Sequence, residues 1–245
     1  MRENLADVQA AAEQWSAEEL LAWAAREFGE TAALASSFGA EDMVLIDISS
    51  SIHAPLNVFT LDTDFLFAQT YQLISATEER YGIRVERLHP RLNPAAQARE
   101  FGDELWKHQP DLCCQIRKVD PLTDRLKASS AWTTGVRREQ SPTRANARKL
   151  EWDAKFGLVK LNPLADWTEA QVWDYIRKHN IPYNPLHDRG YPSIGCTHCT
   201  RAVLPGEDPR AGRWSGFAKT ECGLHVVETS EGPKLVPTRS AGAGN

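Results

Sequence analysis

The chain has little that would commit it to a membrane, to nucleic acid or to a disulfide framework. No apolar run approaches the roughly 18–20 residues that a bilayer span requires. Basic residues are in deficit, 28 Lys and Arg against 33 Asp and Glu, whereas a general nucleic-acid binder carries a basic surplus. The N-terminus, Met1-Arg2-Glu3-Asn4, leads into an acidic amphipathic stretch instead of the basic-then-apolar pattern of a signal peptide. The expectation is a cytoplasmic protein with no membrane and no nucleic-acid partner. Thiols stay reduced in that compartment, so the five cysteines read as metal ligands or reactive thiols and not as disulfides. A Walker A loop is also missing, because no Gly-Lys-Ser/Thr ending follows the first strand-like segment. What remains is ordinary globular material: 245 residues, 42% hydrophobic and 25% charged, enough for one large α/β domain with a sizeable core.

The periodicity predicts alternating strands and helices. Apolar positions at helical spacing over residues 5–28 predict two amphipathic helices, the second capped by Ser16 with Glu19 three residues on. Strands are expected at 31–35, 56–61, 83–88, 131–136 and 158–161, and helices at 43–48, 65–81, 95–106, 121–127 and 169–180, the last capped by Asp166 or Thr168. Such alternation implies a mostly parallel sheet with helices on both faces. Ligands of open α/β sheets bind outside the C-terminal strand ends. Two polar turns fall there: Ser36-Ser37-Phe38-Gly39-Ala40-Glu41-Asp42 and Asp62-Thr63-Asp64. The first is a small, hydroxyl-rich turn running into a helix, the geometry that cradles phosphate; a plain strand-to-helix turn with a serine cap uses the same residues. A dense basic run, Arg137, Arg138, Arg144, Arg148 and Lys149, follows the 131–136 strand. It reads as an anion site or as a solvated face.

The cysteines divide into Cys113-Cys114, Cys196-x-x-Cys199 and a lone Cys222. Four ligands and one left over is the arithmetic of a metal centre plus a reactive thiol. Adjacent cysteines reach one small tetrahedral ion with difficulty, since neighbouring side chains diverge. A cubane offers each thiolate its own iron, which favours a [4Fe–4S] cluster, with zinc as the alternative. His198 reads as a bystander inside the Cys-x-x-Cys loop. Lys118 lies about one helical turn past Cys114, where its charge would offset anionic ligands.

Taken in order, these stretches resemble the adenosine 5′-phosphosulfate (APS) reductase family. The resemblance rests on residues 36–42, Leu61-Asp62-Thr63, Cys113-Cys114-x-x-Arg117-Lys118, Gly135-Val136-Arg137-Arg138-x-Gln140-Ser141, Cys196-x-x-Cys199, Gly206-Glu207-Asp208-x-Arg210-x-x-Arg213-Trp214 and Glu221-Cys222-Gly223-Leu224-His225. It covers roughly residues 30–226. Departures are a first loop one residue shorter than in many relatives, Asp64-Phe65 where Gly-Arg is frequent, and a single Trp214 where relatives carry a tryptophan run.

The resemblance implies an open, mostly parallel twisted sheet of the adenine-nucleotide α-hydrolase type. Residues 1–213 would form the nucleotide-binding domain with its iron–sulfur site, and residues 214–245 a flexible C-terminal segment. It implies Cys113, Cys114, Cys196 and Cys199 as ligands of a [4Fe–4S] cluster. Ser36, Ser37, Leu61, Thr63 and Gly135 would contact the nucleotide, and Lys118, Arg144, Arg210 and Arg213 the phosphosulfate. Cys222 would be the nucleophile with His225 beside it. Thioredoxin, or a glutaredoxin-like protein, would be the reductant, with homo-oligomerisation left open. Related 3′-phospho-APS (PAPS) reductases lack the four cluster cysteines, so APS is the expected substrate, with PAPS or dual use as the alternative. Two rivals stand beside this: a zinc-stabilised nucleic-acid-binding module, and an ATP-dependent sulfur-transfer enzyme of the same superfamily.

Overall fold

The computed structural model describes residues 2–54, 56–217, 219 and 223–224. Its centre is a six-stranded sheet in the order β3-β2-β1-β4-β6-β5. The strands are β1 Ala32–Ala35, β2 Asn57–Leu61, β3 Glu86–Leu88, β4 Ala131–Thr133, β5 Leu150–Asp153 and β6 Leu158–Leu161. All neighbours run parallel except β5, which pairs antiparallel with β6 at the edge. The order reverses at β1, with β2 on one side and β4 on the other. That reversal opens a crevice at the C-terminal strand ends.

The helices are α1 Arg2–Ala12, α2 Ala17–Phe28, α3 Ala40–Ser51, α4 Ala68–Tyr81, α5 Pro94–Phe101, α6 Leu105–His108, α7 Pro110–Cys114, α8 Asp120–Leu126 and α9 Glu169–His179. Period-two alternation sends neighbouring strand residues to opposite faces. Leu34 and Val58 pack with Met43, Leu45, Ile74 and Ile176 from α3, α4 and α9. Farther along the sheet, Ala131 and Val159 meet Leu5, Leu20 and Ala24 from α1 and α2. Ala33, Phe59, Trp132 and Leu158 point the other way, onto Leu122 and Leu126 of α8. Phe59 and Trp132 are essentially solvent-free, and burying each ring is worth roughly 2–3 kcal/mol.

Local chemistry sets several boundaries. Ser16 caps α2 as expected: its hydroxyl accepts the Glu19 N–H at 3.1 Å, and the Glu19 carboxylate accepts the Ser16 N–H at 2.7 Å. Such a reciprocal cap contributes about 1 kcal/mol. Thr168, not Asp166, caps α9; Asp166 instead pairs with Lys149 at 2.8 Å. The helix expected at 65–81 begins only at Ala68, because the Phe65 carbonyl accepts the Thr197 N–H at 2.8 Å and Leu66 bridges to Cys196. The 95–106 helix is broken at Gly102, whose φ of 85° no continuing helix tolerates. Among the described residues, no helix is long and apolar enough to cross a membrane.

Candidate active site

A cavity of about 520 Å³ occupies the crevice at the C-terminal ends of β1, β2 and β4. Ser36, Ser37, Leu61, Thr63, Gly135, Lys118, Arg144, Arg210 and Arg213, all expected to contact a nucleotide, line it. They come from six separate stretches of chain: the sheet brings together those that follow β1, β2 and β4, and Lys118, Arg210 and Arg213 come from outside it.

The turn after β1 is held by its own carboxylate. Asp42 accepts the Ser37 N–H at 2.6 Å and the Ser37 hydroxyl at 2.8 Å, and the Ser36 hydroxyl accepts the Phe38 N–H at 3.1 Å. Phe38 sits at a φ of 59°, so the turn uses a strained residue where glycine would be easy. Burial pushes the Asp42 pKa up to about 6, against the lowering pull of the Ser37 hydrogen bonds. The N-terminus of α3 has no side-chain cap, and its first-turn residues Ala40, Glu41 and Asp42 line the cavity. Unsatisfied N–H groups of that kind favour an anion or hydroxyl ligand. Gly135, at the end of β4, has to be glycine: a Cβ there would lie 2.5 Å from Asp42 Oδ1 and 2.8 Å from Glu41 Cβ.

The basic run divides by partner. Arg138 pairs with Glu13 at 2.6 Å and Lys149 with Asp166, tying the 137–149 loop to α1 and to the start of α9. Arg137 donates to Glu41 at 2.9 Å and to Glu139 at 3.0 Å. Arg148 is exposed. Arg144 is buried at the cavity wall, where Gln140 orients it: the Gln140 side-chain carbonyl accepts Arg144 Nη1 at 2.5 Å, and its amide donates to Glu41 at 2.9 Å and to the Gly135 carbonyl at 3.2 Å. Sequence reasoning placed Gln140 in a motif but gave it no role. Arg213 packs over Gly195, where a Cβ would meet its Nη2 at 2.5 Å. Its guanidinium lies over the Trp214 ring, 4.6 Å from the centroid.

A second, smaller cavity adjoins the first. Cys113, Cys114, Cys196 and Cys199 line it, together with Phe65, Trp106, Arg117, Lys118 and His198. Lys118 and Cys196 belong to both cavities. The adjacent cysteine pair sits at the end of α7, and the chain then runs through a π-helical turn, Gln115–Val119, straight into α8. Single π turns are rare and occur often at functional sites; here one aims Arg117 and Lys118 inward, both buried. Burial first, and neighbouring cysteines second, raise the Cys113 and Cys199 thiols to about 11, against the lowering pull of Arg117 on Cys113 and of Lys118 on Cys199.

Thr63 lines the larger cavity and also reaches the cysteines. Its hydroxyl lies 3.2 Å from Cys196 Sγ and its carbonyl accepts Arg117 Nη1 at 2.8 Å, so it links the two cavities. His198 stacks on Trp106 with ring centroids 4.0 Å apart and meets the edge of Phe65 at 4.9 Å. Cys222 and His225 lie outside the described residues, as does most of the expected C-terminal segment. The described residues nearest them are docked. The Gly223 carbonyl accepts Lys155 Nζ at 2.6 Å, Leu224 packs into the apolar cluster beside Leu61 and lines the larger cavity, and Lys219 pairs with Asp111.

Comparison with known proteins gives the family. The phosphoadenosine phosphosulfate reductase domain family matches residues 31–202. The chain is 54% identical over 209 residues to an adenosine 5′-phosphosulfate reductase of Shouchella clausii, covering 85% of this chain and 87% of that protein. It is 51% identical over 211 residues to adenosine 5′-phosphosulfate reductase 2 of Bacillus subtilis, covering 84% and 88%. A crystal structure of a phosphoadenylyl-sulfate (PAPS) reductase from Candida auris superposes with a TM-score of 0.73 at 30% identity, covering 82% of this chain and 98% of that one. An FMN adenylyltransferase from Candida glabrata, with a TM-score of 0.56 at 16% identity, covering 79% of this chain and 63% of that one, shares the fold alone. On both sequence and fold, the chain belongs to the adenosine 5′-phosphosulfate reductase family.

Proposed function

We propose that this protein reduces adenosine 5′-phosphosulfate to sulfite and AMP, a step of sulfate assimilation towards cysteine. One observation carries the reading: Lys118, Arg144, Arg210 and Arg213 converge on a strand-end cavity that shares Lys118 and Cys196 with a four-cysteine cavity. The adenosine enters between the β1 turn and Gly135, where Leu61, Thr63 and the backbone at Gly135 read the base. The uncapped α3 N-terminus and the Ser36-Ser37 turn take ribose or phosphate groups. The four cations hold the phosphosulfate and stabilise charge that grows on the phosphate oxygen as the S–O bond breaks.

The Cys222 thiolate attacks the sulfate sulfur. A bond forms between Cys222 Sγ and that sulfur, the bond to the phosphate oxygen breaks, and AMP leaves with the electron pair. The enzyme is left as S-sulfocysteine. A thiolate of a thioredoxin-type dithiol then attacks Cys222 Sγ, releasing sulfite and forming a mixed disulfide. The second thiol of the partner resolves that disulfide, so the partner supplies both electrons. A free cysteine thiol has a pKa of about 8.5, so the surrounding cations also favour the attacking thiolate.

Cys113, Cys114, Cys196 and Cys199 would hold a [4Fe–4S] cluster. A lone tetrahedral zinc, with Zn–S of about 2.3 Å, draws its sulfurs to roughly 3.8 Å of one another. An adjacent pair such as Cys113-Cys114 reaches one such ion with difficulty, whereas a cubane offers each thiolate its own iron. The buried Arg117 guanidinium, whose Nε and Nη2 have no acceptor, suits an anionic sulfur-ligated neighbour. Bound there, the cluster would supply a compact anionic centre in the cavity that Lys118 lines. Lys118 lines both cavities, so its charge would serve that centre and the phosphosulfate alike.

The test is Cys222→Ser. The variant should bind APS, lose sulfite release by about a thousandfold or more, and acquire no SO₃ adduct by intact mass, whereas wild-type enzyme without reductant acquires one. A sulfonated Cys222→Ser protein would refute the assignment. Parallel assays with PAPS check the substrate, and a clear PAPS preference overturns it.

A further inference from the structure

The turn after β2 contains a strained residue that the proposed reaction does not use. Asp64 adopts a φ of 59°, a left-handed conformation that costs a non-glycine residue on the order of 1 kcal/mol. Its surroundings hold it there. The Asp64 N–H donates to Asp62 Oδ1 at 3.0 Å, and that same oxygen accepts the Tyr71 hydroxyl at 2.7 Å. The return is the placement of the carboxylate. Asp64 Oδ2 accepts Arg117 Nη1 at 3.0 Å, while Oδ1 lies 3.4 Å from His89 Nδ1.

Arg117 is almost solvent-free at 1% exposure and lines the four-cysteine cavity. All of its anchoring falls on one nitrogen: Nη1 donates to the Thr63 carbonyl at 2.8 Å and to Asp64. The guanidinium also lies over the Phe65 ring, 4.3 Å from the centroid. Nε and Nη2 have no acceptor. A planar guanidinium clamped at one corner has its other N–H groups fixed in direction.

We propose that Asp64 is a positioning residue for the cysteine centre: it clamps Arg117 from the solvent side so that the Nε and Nη2 donors stay fixed at the wall of the cysteine cavity. This rests on the cluster reading above. Fixed donors and a fixed positive charge beside an iron–sulfur group stabilise its more negative, reduced form and so raise its potential. Asp64 acts through Arg117; its own negative charge works in the opposite direction. The sign of the effect therefore separates the two roles.

The experiment uses anaerobically purified wild-type, Asp64→Asn, Asp64→Gly, Arg117→Met and Asp64→Asn/Arg117→Met proteins. Iron content, iron release to a chelator and the cluster midpoint potential are measured on each. Glycine suits a φ of 59°, so Asp64→Gly removes the carboxylate without straining the turn and keeps the test valid if the asparagine variant folds poorly. The single Asp64 variants should retain iron but release it several-fold faster. Their potentials should shift downward, in the direction of Arg117→Met and by less. Adding Asp64→Asn to Arg117→Met should produce no further downward shift and no faster iron release. An upward shift in the Asp64 variants would mean that the carboxylate acts as a bare charge, and it overturns the proposal. Wild-type potential and release rate, or an unchanged Asp64 effect without Arg117, overturn it equally. Failure of the underlying reading shows separately, as iron-free or APS-inactive wild-type protein.

Discussion

The two adjoining cavities are built in opposite ways. The larger one is a property of the sheet. Its floor is the residues just past β1, β2 and β4, which parallel pairing brings together, and Lys118, Arg210 and Arg213 are added to it from outside the sheet. The smaller one is a property of the loops. Cys113 and Cys114 come from α7, while Cys196 and Cys199 come from a turn more than 80 residues later, docked by the Leu66–Cys196 bridge and the Thr197-to-Phe65 hydrogen bond. Such an assembly closes a long loop, and the proposed cluster would add its binding energy to holding it closed. The difference teaches which cavity survives without its occupant.

The largest expected effect tests this directly. Cys114→Ser should abolish iron binding, the broad absorbance near roughly 400 nm and sulfite release, while AMP affinity by calorimetry stays within a few-fold of wild type. Arg144→Met should do the reverse, keeping full iron content and losing AMP affinity by roughly tenfold or more, the scale of a charge-assisted hydrogen bond. If Cys114→Ser loses nucleotide binding as completely as Arg144→Met does, the cavities are one cooperative unit and the contrast fails.

The same contrast explains what could be read in the sequence. Strand ends were legible because a buried parallel strand is a short apolar run followed by polar residues, as at 31–42 and 56–64. The cysteines were legible by count and pairing. β5 was missed: Leu150-Glu151-Trp152-Asp153 alternates charge with apolar residues beside a basic run, and its pairing depends on β6, including the Lys160–Glu151 contact at 2.9 Å. The fates of the five basic residues at 137–149 were also hidden. Nothing local distinguishes Arg144, held by Gln140 at the cavity, from Arg138, held by Glu13 across the domain. The π turn at 115–119 left no trace in periodicity. Thr63 read correctly as a strand-end residue, but its contact with Cys196 joins positions 133 apart.

Asp42 makes the sheet-built cavity sensitive to pH. Burial raises its pKa from 3.8 to about 6 in the folded protein. The folded state then binds more protons than the unfolded chain between those values. The contribution of this group is therefore greatest below about pH 4, falls as pH rises, and reaches its full loss above about pH 6. A shift of this size corresponds to about 3 kcal/mol at most. The stability difference between wild type and Asp42→Asn, from urea midpoints, should decline by up to that amount between pH 4 and pH 7. A flat difference would mean that the Ser37 hydrogen bonds offset the burial.

The smallest effect sharpens the boundary of the cysteine cavity. His198 lies between two ligand cysteines in sequence, and in space its ring stacks on Trp106 with an interplanar angle of 10°. Burial lowers its pKa, so the stacked imidazole is neutral at pH 7. A ring in that position packs against the outer wall of the cavity; offset aromatic pairs of this kind are worth about 0.5–1.5 kcal/mol. His198→Gln should therefore cost about 1 kcal/mol by urea denaturation and leave iron content and the visible spectrum unchanged. Loss of iron in that variant would make His198 a ligand and would reopen a mononuclear histidine–cysteine site. Retention of iron leaves the four thiols as a complete set, with the aromatic stack acting only as the lid of a loop-built cavity that the sheet does not hold up.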